Sequence, residues 1–152
     1  PSRAMALVEK SVLIERTPSE MFALVDGVEH YPEFLPWCGG TRLLERTDKV
    51  TAAALRIKYK GIQAEFATRN EKEIPLWMDI RLVEGPFRRL DGGWRFRALG
   101  EKACKIEFRL QYEFAGRVLE KALGPVFNHI AETFVESFVK RAAQVYGREN
   151  LG

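Results

Sequence analysis

The feature that most limits what this chain can become is its last stretch, Gly116 to Gly147. At a spacing of four its residues separate into rows, as they do on an α-helix. Leu119, Leu123, Phe127, Ala131, Val135, Val139 and Ala143 form one apolar row, and Val126, Ile130, Phe134, Phe138, Ala142 and Tyr146 form its neighbour. Asn128, Glu132, Glu136, Lys140 and Gln144 make a polar row on the other side. Two adjacent apolar rows give a stripe too wide for a coiled-coil seam and suited to lying along a sheet. From Pro125 to Tyr146 the helix is about 33 Å long at 1.5 Å per residue, enough to cross a small domain. Gly124-Pro125 is expected to kink or restart it, because proline has no N–H and crowds the preceding turn. Gly147 is expected to stop it.

A partner sheet is written in the preceding residues. Leu7 to Ile14 reads as a first strand, with alternation too poor to assign its faces. Thr17-Pro18-Ser19-Glu20 is a helix start with Thr17 as N-cap and Glu20 in capping-box place. That helix carries Met21, Phe22, Leu24 and Val25 and stops near Asp26-Gly27. Tyr31-Pro32-Glu33-Phe34-Leu35-Pro36-Trp37-Cys38 allows one helical turn at most between its prolines. Its four large apolar side chains either plug a core or line a pocket wall. The period then changes to two, with strands over 41–47, 50–59 and 62–69, the last with Ile62, Ala64, Phe66 and Thr68 inward. A strand opened by Pro75 puts Leu76, Met78, Ile80 and Leu82 on one face and Trp77, Asp79 and Arg81 on the other. Residues 84–93 read as a loop, after which Trp94, Phe96 and Ala98 alternate with Arg95 and Arg97. Cys104 to Phe114 alternates most cleanly of all, as a strand with one buried and one wet face does in an antiparallel sheet.

The order is therefore strand, two short helices, a meander of about six strands, then one long helix, an α+β arrangement in a single domain over residues 5–147. Residues 1–4 and 148–152 read as tails. A twisted sheet of six to seven strands curling around the final helix is the helix-grip architecture. Small inward residues (Ala64, Thr68, Ala98) opposite large ones on the helix are expected to leave a cavity, with the proline-rich segment as its lid. The alternative is that Phe66, Phe108, Phe127, Phe134 and Phe138 fill an ordinary core.

Charge is informative by placement. The net charge is +3, and the whole excess lies between residues 81 and 97, where Arg81, Arg88, Arg89, Arg95 and Arg97 face only Glu84 and Asp91. This is either a solvated hairpin or a patch for an anionic partner such as RNA or a lipid surface. Trp77 shares the outer face, where a large aromatic is unusual: either the register slips at Pro75 or Trp77 belongs to a contact surface, the reading favoured here.

The missing chemistry constrains function as well. No apolar run reaches membrane-span length, and Glu9 and Lys10 interrupt any signal-peptide core. Cys38 and Cys104 are far apart and outside any CxxC, so two reduced thiols in a cytoplasmic protein are expected. His30 and His129 form no metal-ligand spacing, so no metal site is expected. A Cys38–His129 pair is the one nucleophile–base combination available, and a structural cysteine is the commoner role. No catalytic residue is assigned, because Glu65 and Asp79 fall on outward faces and no carboxylate pair is buried.

Three separated motifs carry a resemblance over nearly the whole chain: Tyr31 to Cys38, the pair Val83–Phe87 and Leu90–Trp94, and Lys140 to Tyr146. Together they are similar to the coenzyme-Q-binding START-like family, and most of all to its bacterial branch, the ribosome association toxins, called oligoketide cyclases or dehydrases in older usage. The resemblance implies a START/Bet v 1-like fold whose cavity takes ubiquinone or another polyisoprenoid lipid, with no cofactor required. The expected cavity residues are Phe22, Tyr31, Phe34, Leu35, Trp37, Phe66, Thr68, Met78, Phe87, Trp94, Phe108, Tyr112, Phe127, Ile130, Phe134 and Phe138. Tyr31, Thr68 or Tyr112 would orient a head group. The branch also implies association with the large ribosomal subunit, blocking its joining to the small one, and the partners to look for are that subunit, a small antitoxin-like protein and a membrane surface touched peripherally. A polyketide cyclase using the same cavity is the competing reading.

Overall fold

The computed structural model describes residues 5–147; the two tails lie outside the described residues. Seven strands, one 3₁₀ segment and two α-helices follow in the order β1 (Ala6–Ile14), α1 (Pro18–Asp26), a 3₁₀ turn (Val28–Glu33), β2 (Cys38–Arg46), β3 (Val50–Tyr59), β4 (Ile62–Glu73), β5 (Trp77–Glu84), β6 (Phe87–Ala98), β7 (Cys104–Phe114) and α2 (Arg117–Tyr146). The strands form one antiparallel sheet in the order β1-β7-β6-β5-β4-β3-β2. The meander is thus consecutive, and only β1 is carried across to pair with β7. The sheet bends around α2, as the helix-grip reading requires.

The local reasons are visible in the sequence. Thr17 accepts from the Glu20 N–H at 3.1 Å and Glu20 accepts from the Thr17 N–H at 2.9 Å, closing the expected capping box on α1. In β1, Val8, Val12 and Ile14 face inward opposite Leu110, Ile106 and Cys104, but Lys10 shares their parity opposite Phe108. Its ammonium reaches Glu132 on α2 at 3.1 Å, which explains the broken alternation.

Several expectations are corrected. α2 runs through Gly124-Pro125 as one helix, without a restart. Proline removes one intrahelical bond there, while Phe127 just beyond is clamped by the sheet, with ring centroids 4.8 Å from Phe87 and 4.7 Å from Tyr112. α2 does end at Tyr146 with Gly147 as its C-cap, though Gly147 keeps right-handed helical angles rather than left-handed ones. Residues 87–93 are strand, not loop. The Gly92-Gly93 pair that looked like a breaker is where β6 is gripped by its neighbours: a Cβ at Gly92 would collide with the Arg109 carbonyl, and one at Gly93 would sit 2.8 Å from the Met78 carbonyl. β4 runs on to Glu73 rather than ending at Arg69. Ala98 is exposed at the sheet end, so it leaves no internal space. In β2 the register shifts between Leu43 and Glu45, a bulge that leaves Leu43 and Leu44 both exposed on an edge strand.

Candidate functional site

Two places carry site-like chemistry, one on each face of the sheet. On the inner face, α2 presents Phe127, Ile130, Ala131 and Phe134 in helical spacing, and the small Ala131 leaves room between two aromatic clusters. The first joins Phe127 to Phe66, Phe87, Tyr112 and Phe114. The second joins Phe134 and Phe138 to Trp94, with Phe134 also on Phe108 and Phe138 on Tyr31 and Phe34. Between them lies a void of about 70 Å³. Pockets for drug-sized ligands span about 300–1,000 Å³, so in this conformation the expected hollow is mostly filled. Phe138 is fully buried, and Phe134 lies against Trp94 and Phe108 with centroids 5.7 and 5.6 Å away.

The void is lined by Tyr31, Trp37, Phe66, Thr68, Met78, Trp94, Phe108, Phe127, Ile130 and Phe134 from the expected set. Phe22, Phe34, Leu35, Phe87, Tyr112 and Phe138 do not line it. They pack behind it: Phe22 sits 5.4 Å from Phe96, and Phe87 stacks on Phe114. Two of the three hydroxyls expected to orient a head group are already used. Tyr31 donates to the Val25 carbonyl at 2.5 Å, and Tyr112 donates to Asn128 Oδ1 on α2. Burial pushes the Tyr31 phenol far up and the Tyr112 phenol up to about 12. Thr68 does lie at the void.

The sequence reading missed Asn70 and Lys72, because it ended the strand at residue 69. Strand parity continued from Thr68 was the available signal. Asn70 lines the void, its amide Nδ2 lies 3.6 Å from Met78 Sδ, and its Oδ1 has no partner. Trp37 Nε1, on the same wall, is also buried without a partner. Leaving a buried polar group unanswered costs about 1–3 kcal/mol. Lys72, with a side chain 1 % exposed, is 2.8 Å from Asp26 Oδ2 and donates to Thr51 at 2.8 Å; Thr51 donates to Asp26 Oδ1 at 2.6 Å. This buried trio ties the end of α1 to β3 and β4. Beside it Arg46 reaches Glu29 through two 2.7 Å bonds, holding the Glu29 carboxyl down at about 2.

Neither thiol is activated. Burial raises both, Cys104 to about 11, and Cys38 Sγ lies 3.5 Å from the Gly40 carbonyl. His129 is exposed and stacks on Tyr59 at 5.7 Å, so a Cys38–His129 pair finds no support. Among the described residues no group of three or more His, Cys, Asp or Glu is placed to hold a metal ion.

On the outer face a groove of about 1020 Å³ runs over β1, β7, β6, β5 and β4. The five arginines are less free than the sequence suggested. Arg95 pairs with Asp79 at 2.8 Å, Arg89 with Asp91 at 2.9 Å, Arg88 with Glu113 at 3.5 Å and Arg97 with Glu107 at 3.8 Å. Arg81 has no carboxylate at such a distance among the described residues. The cations on the groove are Arg69, Arg81, Arg88, Arg89, Arg95 and Arg109, the Lys10 ammonium being turned inward to Glu132; the anions are Glu9, Glu71, Asp79, Asp91 and Glu107, a surplus of one positive charge. Trp77 lies on this outer face, half-buried under the Arg95 guanidinium at 5.7 Å from the ring centroid.

Comparison with known proteins decides the family. The model of "Polyketide cyclase / dehydrase and lipid transport" matches residues 14–139. The chain belongs to this family. Within it, the chain is 41% identical over 143 residues to the ribosome association toxin RatA of Vibrio cholerae, covering 94% of this chain and 99% of that one. It is 27% identical over 138 residues to a mitochondrial coenzyme Q-binding protein COQ10 homolog of Xenopus laevis, covering 87% of this chain and 56% of the other. An aromatase/cyclase of Streptomyces sp. R1128 superposes with a TM-score of 0.74 at 15% identity, covering 91% and 93% of the two chains. That likeness shows the fold. No helix among the described residues is long and apolar enough to cross a membrane.

Proposed function

We propose that this family member is a non-enzymatic cytoplasmic factor that binds the large ribosomal subunit through the outer face of its sheet and blocks subunit joining. The observation that carries the reading is the outer groove, with its positive surplus, an Arg81 that meets no carboxylate among the described residues, and ion pairs that can exchange a carboxylate for a phosphate. The identity to RatA along almost the whole chain supports it. Arg88→Glu with Arg89→Glu should abolish co-sedimentation with large subunits in sucrose gradients, and binding of the unaltered protein should weaken steeply with salt. Unchanged co-sedimentation of the double variant would exclude this surface.

A second reading concerns the interior and is compatible with the first. The void's wall is apolar apart from a few polar atoms, two of them unanswered, as in a site for an amphipathic molecule such as a quinone or polyisoprenoid lipid. Such a ligand needs Phe134 or the segment before β2 to move aside. Mass spectrometry of organic extracts from protein purified without detergent is the test; extracts free of any stoichiometric lipid count against it. The cyclase reading is weaker. Among the described residues the wall holds no carboxylate, histidine or lysine, and its one phenol, Tyr31, is raised and bonded to backbone.

A further inference from the structure

The inner void poses a hydrogen-bonding question that only some guests answer. Trp37 Nε1 and Asn70 Oδ1 are buried without partners, on residues that line the same wall. The amide of Asn70 is oriented by Met78, since a thioether accepts hydrogen bonds and cannot donate them. Its NH₂ end therefore faces Sδ, at 3.6 Å, and its carbonyl end is left over. An indole N–H only donates and an amide oxygen only accepts. The guest must accept from one and donate to the other. Ketones, quinones and ethers only accept, ammonium groups only donate, and a hydroxyl does both.

We infer that Trp37 and Asn70 form a hydroxyl-recognising subsite, and that the buried end of the ligand is a phenol or an alcohol. This rests on the interior ligand-binding reading above and narrows it: of a quinone and its hydroquinone, the reduced form is the one retained. A charged end group is disfavoured, because the wall offers no ion to pair with it. A hydroxyl gives this pair the same two bonds that a single water molecule would.

Two small probes that differ only in the hydrogen-bond donor test this: 4-butylphenol and 4-butylanisole, titrated calorimetrically into the full, delipidated chain. The phenol should bind about tenfold tighter, equivalent to about 1.4 kcal/mol. Asn70→Leu should bring the two within about twofold, and Trp37→Phe should weaken both several-fold, with circular dichroism checking the fold of each. Equal binding of both probes by the unaltered protein would overturn the subsite while leaving apolar-ligand binding standing. Binding of neither would overturn both. A tenfold phenol preference surviving in a folded Asn70→Leu protein would remove Asn70 from the site.

Discussion

Strand β6 shows two ways of holding a protein together, one on each side of a single backbone. Inward, Trp94 and Phe96 stack at 5.9 Å and Trp94 meets Phe108 at 4.6 Å. Outward, Arg95 and Arg97 lie across from Asp79 and Glu107 with their side chains more than half exposed. The inner contacts exclude water and so carry stability. The outer pairs exchange with water and salt at little cost, which leaves them free to rearrange for a partner. The two faces should therefore fail in different assays.

The largest effect is expected inside. Trp94→Ala should cost about 3–5 kcal/mol in urea unfolding; a loss below 1 kcal/mol would mean that the aromatic cluster is not the core. Next comes the buried ion pair on the inner side, Asp26 with Lys72. Asp26→Leu strands the buried Lys72 ammonium and should cost about 3 kcal/mol, whereas Asp26→Leu with Lys72→Met should recover most of it. If the double variant is as unstable as the single one, the trio acts through geometry that apolar packing does not replace. Glu29→Gln should cost about 1 kcal/mol or less, because Glu29 is 43 % exposed and solvent screens its pair with Arg46. The sign follows from the lowered carboxyl, at about 2 against an ordinary 4.5. The contribution is complete above pH 4.5 and fades as pH falls towards 2, so the unaltered protein and Glu29→Gln should converge in acid unfolding midpoints near pH 2. Last, Arg88→Glu with Arg89→Glu sets like charges against Glu113 and Asp91 and should cost about 1 kcal/mol or less, although ribosome co-sedimentation should be lost.

The same contrast explains what could be read in advance. β7 and α2 were legible because burial writes a period into the residues, and two faces of different chemistry make the period clear. β6 was half legible: its alternation after Trp94 was plain, but Gly92-Gly93 carries no side chain to show parity, and the glycines are there for backbone contact. The polar end of β4 was hidden because Asn70 and Lys72 are inward residues whose partners, Met78, Thr51 and Asp26, lie far away in sequence. The arginine excess was correctly located but overstated, since Glu107 and Glu113 come from the neighbouring strand. The void was expected from the small inward residues Ala64, Thr68 and Ala98, of which Thr68 alone lines it; its size depends on how closely Phe127 and Phe134 approach across it, which no periodicity shows.

The sheet is open, and its β2 border has a bearing on how the chain behaves when concentrated. Leu43 and Leu44 would invite another molecule to extend the sheet there, were it not for the extra residue between Leu43 and Glu45 that twists the border out of line. Removing Leu44 would straighten that border and let copies zip together strand to strand. A feature that looks like a flaw in pairing thus works against strand-to-strand addition at this border.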